Sequence, residues 1–352
     1  SPCLTQIRQA DLNHPIEKIS DIVQDIDFIK IEDGELYTNL AGEIILWDGK
    51  SRQNFKAYPS GFLLLNTDLQ FNVYDTCGNF KFKFGQYGRG PGEYTAAWDF
   101  CHDPYNNRYY VASNTGLYVY DSTGHWLYTR PYLDKSTIIT HMEASSPNSL
   151  VACGTFQNAT GRQHAYFTLD TAGHVHEIPH LIKQGQTHLS AFDNRFSCLL
   201  NDSIFQINND TLSLQRCFQF SADKPFPLRF YSENDTYGVL HAIAGEIVDE
   251  EYVSLILSKK DKHKFFLISS KTQDDCFLNL NRGVYGFVID AWGFINNQLI
   301  VTIPATEFRD LVEKATENPE KYPYLEKAKK IADGLTDDSN SIIAKVSLKQ
   351  FP

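Results

Sequence analysis

The chain of 352 residues carries 32 Lys and Arg against 43 Asp and Glu, a formal charge of −11 distributed along its length. An acidic surface of this kind repels phosphate backbones, which argues against nucleic acid as a partner, and no run approaches the roughly 18 apolar residues needed to span a bilayer. The 24 Phe and 19 Tyr, within 42% hydrophobic residues, point to a core built from strand formers.

Met142 is the sole methionine, so Ser1 is not expected to be the translation start. The missing leader is expected to be a targeting signal that takes the protein outside the cytoplasm, to the periplasm or the cell surface. Cys3 would fit the remnant of a lipid-attachment region. The seven cysteines include no C-x-x-C pair, which argues against a zinc ribbon or a thioredoxin-like site and favours buried free thiols. Next in the chain, the residues from Ile26 to Ile31 alternate as an edge strand does.

Three segments, 71–80, 117–126 and 166–175, then share one pattern of strand, Asp-x-x-Gly turn and strand. The aspartate can accept bonds from backbone N–H groups further round the turn, and the glycine takes the positive φ that closes it. The turn residues Asp75, Asp121 and Asp170 recur at intervals of 46 and 49 residues, the length of a four-stranded propeller blade. In the outer strand Phe80-Lys81-Phe82-Lys83-Phe84 the period of two predicts three packed rings and two solvated lysines. The stretch from Gly85 to Gly92 lacks the Gly-Lys-Ser/Thr ending of a phosphate loop and precedes no helical pattern, so it reads as a crossing between blades, braced by Arg89 and Glu93.

Weaker copies follow at 203–210 and 264–269. From 306 to 333 the spacing of Leu311, Val312, Leu325, Ala328 and Ile331 predicts helix, divided in two at Asn318-Pro319. The last strand, 342–348, has no successor to cover it, and the N-terminal strand of 22–32 can do so and close a ring. The predicted architecture is all-β: a six-bladed β-propeller forming one domain over 1–352, with a short helical insertion in the last blade. Its blades fall near 41–88, 94–134, 137–182, 186–220, 237–281 and 284–348, the last closed by 22–32.

With the hairpin at Val73-Tyr74-Asp75, the stretch from Phe84 to Tyr94, the opening segment 18–29 and the ending 337–343, most of the chain resembles the secreted six-bladed β-propellers related to NHL-repeat proteins, many of them lipoproteins. The resemblance implies fold and extracytoplasmic location. It transfers no catalytic residue.

In a propeller the innermost strands face the channel. The segments expected there carry Trp98, Asp99 and His102 in blade two, His141 and Glu143 in blade three, Asp193 and Arg195 in blade four, His241 in blade five, and Asp290 and Trp292 in blade six. Such a set suits a sugar held by stacking and hydrogen bonds, or a cation held by carboxylates. His174 and His176, on one face of a strand, have a spacing that a metal uses, but no third ligand is fixed, and solvent-facing histidines are the expected reading. No dense catalytic signature is present. The sequence therefore favours an extracytoplasmic binding or scaffold module, without cofactor, for a glycan, a peptide or an envelope protein. The alternative is a lactonase-type hydrolase or lyase with a divalent cation, such as calcium, in the channel.

Overall fold

The computed structural model describes residues 3–32, 55–66, 68–132, 138–158, 161–170, 174–178, 188–192, 195–200, 202–208, 211–221, 228–244, 251–278 and 291–351. They form six sheets, each with its strands hydrogen-bonded in radial order. The innermost strands are Phe55–Tyr58, Asp99–Asp103, Ile138–Ser146, His188–Phe192, Leu228–Glu233 and Ala291–Ile295. They touch one another around the ring and surround a central channel. The molecule is a six-bladed β-propeller.

The core is divided in the way this geometry requires. Each of six apolar clusters lies between two neighbouring blades, because a sheet that is apolar on both faces must meet a partner on each side. Between blades 1 and 2 the layer is rich in aromatic rings: Phe71 stacks on Phe84 at 5.1 Å and meets Phe100 at 4.6 Å. In the outer strand Phe80–Phe84 only Phe84 is buried, and Phe80 stays 38% exposed. The expected third packed ring instead leans edge-on against Tyr74, at 5.8 Å, within its own blade.

The Asp-x-x-Gly turns close as their chemistry dictates. Asp75 accepts from the N–H groups of Cys77 and Asn79 at 2.9 and 3.0 Å, and Asp121 from those of Thr123 and His125 at 2.8 and 2.9 Å. Gly78 and Gly124 stand at φ +87° and +86°, where a side chain is strained. The glycine-rich stretch is indeed a blade crossing, leading from the outer strand of blade 1 to the inner strand of blade 2. Its brace is Glu93 bonded to the Gly90 N–H at 2.8 Å and to the Gln86 amide at 2.5 Å.

The chain's beginning ties three blades together. Cys3–Arg8 lies parallel to the outer strand of blade 4, Thr211–Ser221, as a fifth strand. The segment then bonds to blade 5 through Ile16 to Leu267 and Ile19 to Gln273. Val23–Lys30 next pairs antiparallel with Ile342–Leu348 as the outer strand of blade 6, the predicted ring closure. The fifth strand was not foreseen, although Thr5 and Ile7 are buried while Leu4 and Gln6 are exposed, the alternation of a one-sided strand. Between strands Gln298–Ile303 and Ile342–Leu348 stand helices Ala305–Thr316 and Leu325–Ala332, joined through a short 3-10 turn at Pro319–Lys321. Their buried residues, among them Phe308, Val312, Leu325 and Ala328, extend the layer between blades 5 and 6.

One blade begins differently from the sequence reading. Blade 5 starts with Leu228–Glu233, ahead of residue 237, so the apolar run at Tyr237–Ala244 is its second strand. A second strand is covered on both faces and reads as continuously apolar, whereas an inner strand that borders a channel is mixed and less conspicuous.

Candidate functional site in the central channel

The inner strands of all six blades enclose a cavity of about 540 Å³. Its wall is two-faced. Blades 1 to 3 contribute the charged and titratable group of Lys56, Tyr58, His102, His141 and Glu143, beside apolar residues such as Phe55 and Ala144, whereas blades 4 to 6 contribute mainly Leu189, Phe192, Phe196, Phe230, Phe294 and Ile295, together with Ser190, Ser232, Asp235, Asn296 and Asn297.

The polar half is organised around Lys56. Its ammonium reaches from blade 1 to the Asp99 carboxylate on blade 2 at 2.9 Å, and to Glu143 at 3.0 Å and the Met142 carbonyl at 2.9 Å on blade 3. Asp99 Oδ2 also accepts the Met142 N–H at 2.6 Å. The lysine lies 5.6 Å over the Phe100 ring. Three blades are thus stitched by one buried cation whose three donors are all used. Strand pleating makes this possible: His141 and Glu143 point to the same side, toward the channel, while Met142 turns into the apolar layer between blades 2 and 3.

Two carboxylates and one ammonium give the cluster an excess negative charge. Burial pushes both Asp99 and Glu143 above the ordinary carboxyl range, against the opposing pull of Lys56. Burial acts to lower the Lys56 ammonium, but the fields of Asp99 and Glu143 outweigh it and raise the value. Lys56 therefore stays protonated and is unsuited to act as an amine nucleophile. Asp99 is sealed, with a side chain 1% exposed, while that of Glu143 is 15% exposed and borders the cavity. Glu143 Oε1 accepts from Lys56 at 3.0 Å. The Tyr58 hydroxyl is turned toward Glu143 and the His102 backbone without full hydrogen-bond geometry to either, and the buried Ser190 hydroxyl on the opposite wall makes no hydrogen bond. His102 stands between Tyr58 and Tyr109, with ring centroids 5.7 and 5.0 Å away, and burial lowers its pKa, so it is neutral at pH 7.

Of the residues expected in the channel, His102, His141 and Glu143 line the cavity, and Asp99 supports it from behind Lys56. Trp98 precedes the inner strand and bonds the Asn114 side chain through its indole N–H. Arg195 opens the second strand of blade 4 and pairs with Asp235 at 2.5 Å, stacked 5.5 Å from Phe192. His241 lies on the second strand of blade 5, buried, with Nδ1 2.7 Å from Ser254 Oγ and its ring stacked on Phe230 at 5.0 Å. It supports a wall residue from behind. Asp193, Asp290 and the Trp292 side chain lie outside the described residues. Sequence reasoning missed Lys56 and Tyr58, which stand at alternate positions of a short strand with no Asp-Gly turn beside it. It also missed the phenylalanine wall, because aromatics were read as core.

The expectation of a cation between carboxylates meets a specific obstacle: the ammonium of Lys56 already occupies the place between Asp99 and Glu143. Among the described residues, no three His, Cys, Asp or Glu side chains converge as a metal site. His174 bonds its own turn residue Asp170 at 2.9 Å, with the His176 ring 6.4 Å away. All seven cysteines are free thiols, and Cys101, Cys153, Cys198 and Cys276 are buried. Among the described residues no helix is long and apolar enough to cross a membrane.

Similar folds occur in solved structures. A candidate exported protein of Bacteroides fragilis NCTC 9343 superposes with a TM-score of 0.68 at 13% identity, covering 99% of this chain and 100% of that one. A member of the DUF4221 family from Bacteroides vulgatus ATCC 8482 gives 0.54 at 9% identity, covering 94% and 98%. These likenesses show the fold alone. A gluconolactonase of Xanthomonas campestris, at a TM-score of 0.45 and 7% identity over 95% and 94%, is too distant to inform the chemistry. No curated protein matches the chain. A family model described as Domain of unknown function (DUF4934) matches residues 7–347, nearly the whole propeller, and the chain belongs to that family.

Proposed function

We propose that this protein is an extracytoplasmic binding propeller whose central channel holds its ligand. The observation that carries the reading is the two-faced cavity: one wall bears a buried charge cluster whose Glu143 borders the cavity, and the other is rich in phenylalanine. A largely pre-formed pocket with an apolar body and a few convergent polar groups is the usual form of a small-ligand site. Its volume of about 540 Å³ suits a small molecule or the terminal group of a glycan or peptide. The resemblance to exported propellers supports the location, and the relationship to NHL-repeat propellers belongs to the same proposal. An attached lipid at the N-terminal side would hold the propeller at a membrane surface.

The test is a binding screen of mono- and disaccharides, short peptides and small amphiphiles by ligand-observed NMR, repeated on Ala191→Trp. Ala191 lines the cavity at an exposed position, so an indole there fills the channel without disturbing the core. Ligands that bind the wild type and are lost from this variant support the reading. Ligands that bind both equally place recognition elsewhere.

A second reading has one observation behind it. A carboxyl held above its usual range and facing a cavity, as Glu143 is, can serve as a general acid for a hydrolase or lyase. Turnover of lactones or uronate-containing glycans that Glu143→Gln abolishes would favour it over simple binding.

A further inference from the structure

We propose that the channel's ligand is a small organic amine, its ammonium bound to Glu143 and its apolar body laid against Phe192, Phe230 and Phe294. This deepens the channel reading and rests on it.

The first argument is charge. Lys56 can neutralise only one of the two carboxyls it touches, so ionising both leaves an uncompensated negative charge, and Glu143 is the member that borders the cavity. Isolated charge in a poorly solvated place is costly, and a second cation arriving from the channel relieves it. A neutral or anionic head group does not.

The second argument is unfilled hydrogen bonding. Glu143 has one oxygen committed to Lys56 and borders the cavity, and the buried Tyr58 hydroxyl turned toward it falls short of full hydrogen-bond geometry. An ammonium donates to Glu143. It also fixes Glu143 as a carboxylate, the stronger acceptor for the Tyr58 hydroxyl. If Glu143 is protonated before binding, that proton leaves to solvent as the ion pair forms. The Ser190 hydroxyl, buried and unpartnered in the opposite wall, offers a further polar contact partway along the ligand.

The third argument is the shape of the remainder. The opposite wall, which also carries Ser232, Asp235 and Asn296, is for the most part aromatic and aliphatic, and Phe230 and Phe192 are backed by His241 and Arg195. Aromatic faces favour a compact apolar body and attract the carbons next to an ammonium. A hydroxyl-rich sugar buried against that wall would leave most of its hydroxyls unsatisfied.

The experiment titrates three probes that share a phenylethyl body, 2-phenylethylamine, 2-phenylethanol and the slightly larger 3-phenylpropionate, into the wild type, Glu143→Gln and Ala191→Trp. Thermal melts first confirm that each variant is folded. The wild type is expected to prefer the amine to the alcohol by about tenfold or more, the scale of a charge-assisted hydrogen bond, and to bind the carboxylate weakest. Glu143→Gln should abolish the preference for the amine over the alcohol, and Ala191→Trp should lose all three. Equal affinity for amine and alcohol in the wild type, a preference that survives Glu143→Gln, or no binding of the amine each overturns the amine proposal. Only binding that survives Ala191→Trp counts against the channel itself.

Discussion

Blades 1 to 3 and blades 4 to 6 are built on the same plan but held by different means. In the first half the hairpins repeat, the turns are tied by aspartates, and the inner strands are joined by the ion cluster of Lys56, Asp99 and Glu143. In the second half the blades are joined by pieces from the chain ends: the fifth strand Cys3–Arg8, the closing strand Val23–Lys30 and the helical pair on the layer between blades 5 and 6. The difference teaches that a ring can take its stability from irregular additions on one side while the other side concentrates charge next to the channel. The two-faced cavity follows directly from this division.

The comparison can be broken most sharply at Lys56. Lys56→Met leaves two buried carboxyls without their cation and should cost about 3–5 kcal/mol in urea unfolding. The triple change Lys56→Met, Asp99→Asn, Glu143→Gln removes every charge together and should recover most of that loss; a triple variant as weak as the single one would show that packing of the lysine stem, and not charge, holds this half. On the other side, Ile7→Ala should cost about 2–5 kcal/mol if the fifth strand is integral to blade 4. A cost within experimental error of zero would make that strand a dispensable appendage. A smaller effect is expected in the repeated half from Gly124→Ala, about 1–2 kcal/mol for a side chain in the left-handed region, read as a lowered melting temperature.

The smallest effects should appear with pH, and they have opposite signs. Asp99 and Glu143 titrate above their unfolded values, so the stability linked to their protonated forms is full below about pH 4 and is lost as pH rises through their raised values. Asp75 and Asp121 are held low, first of all by side-chain bonds from Asn79 and Thr123 respectively, with Asp121 lowered to about 2. Their contribution is present above about pH 4 and is lost as pH falls through the lowered values. Urea unfolding across this range should therefore show Glu143→Gln flattening the decline toward neutral pH and Asp121→Asn flattening the acid limb. An unchanged slope in Glu143→Gln would mean that the carboxyl is ionised throughout.

The same division explains what could be read from the amino-acid sequence. An Asp-x-x-Gly turn is a local device, and its recurrence gave the blade length without reference to any distant residue. The helices around Phe308 and Ala328 and the closing strand at Ile26 were equally legible, since each carries its periodicity within a few turns or residues. The start of blade 5 was not, because Leu228–Glu233 is short and mixed while Tyr237–Ala244 beside it is uniformly apolar. That slip moved His241 from behind the wall into the channel. Glu143 and His102 were found because polar residues stand out on inner strands. Lys56 was not, since its role depends on partners 43 and 87 residues away, and nothing in Phe55–Tyr58 announces them.

The measurement that bears most directly on the channel is a methyl NMR titration of the folded wild-type protein with 2-phenylethylamine, with Ala, Leu and Ile methyls labelled. The account predicts that Ala144, Leu189, Ala191 and Ile295, which border the cavity from blades 3, 4 and 6, shift together with one affinity, while Leu4 and Leu127 on the outer surface stay fixed. Shifts confined to the outer rim, with the four channel methyls unmoved, would contradict it.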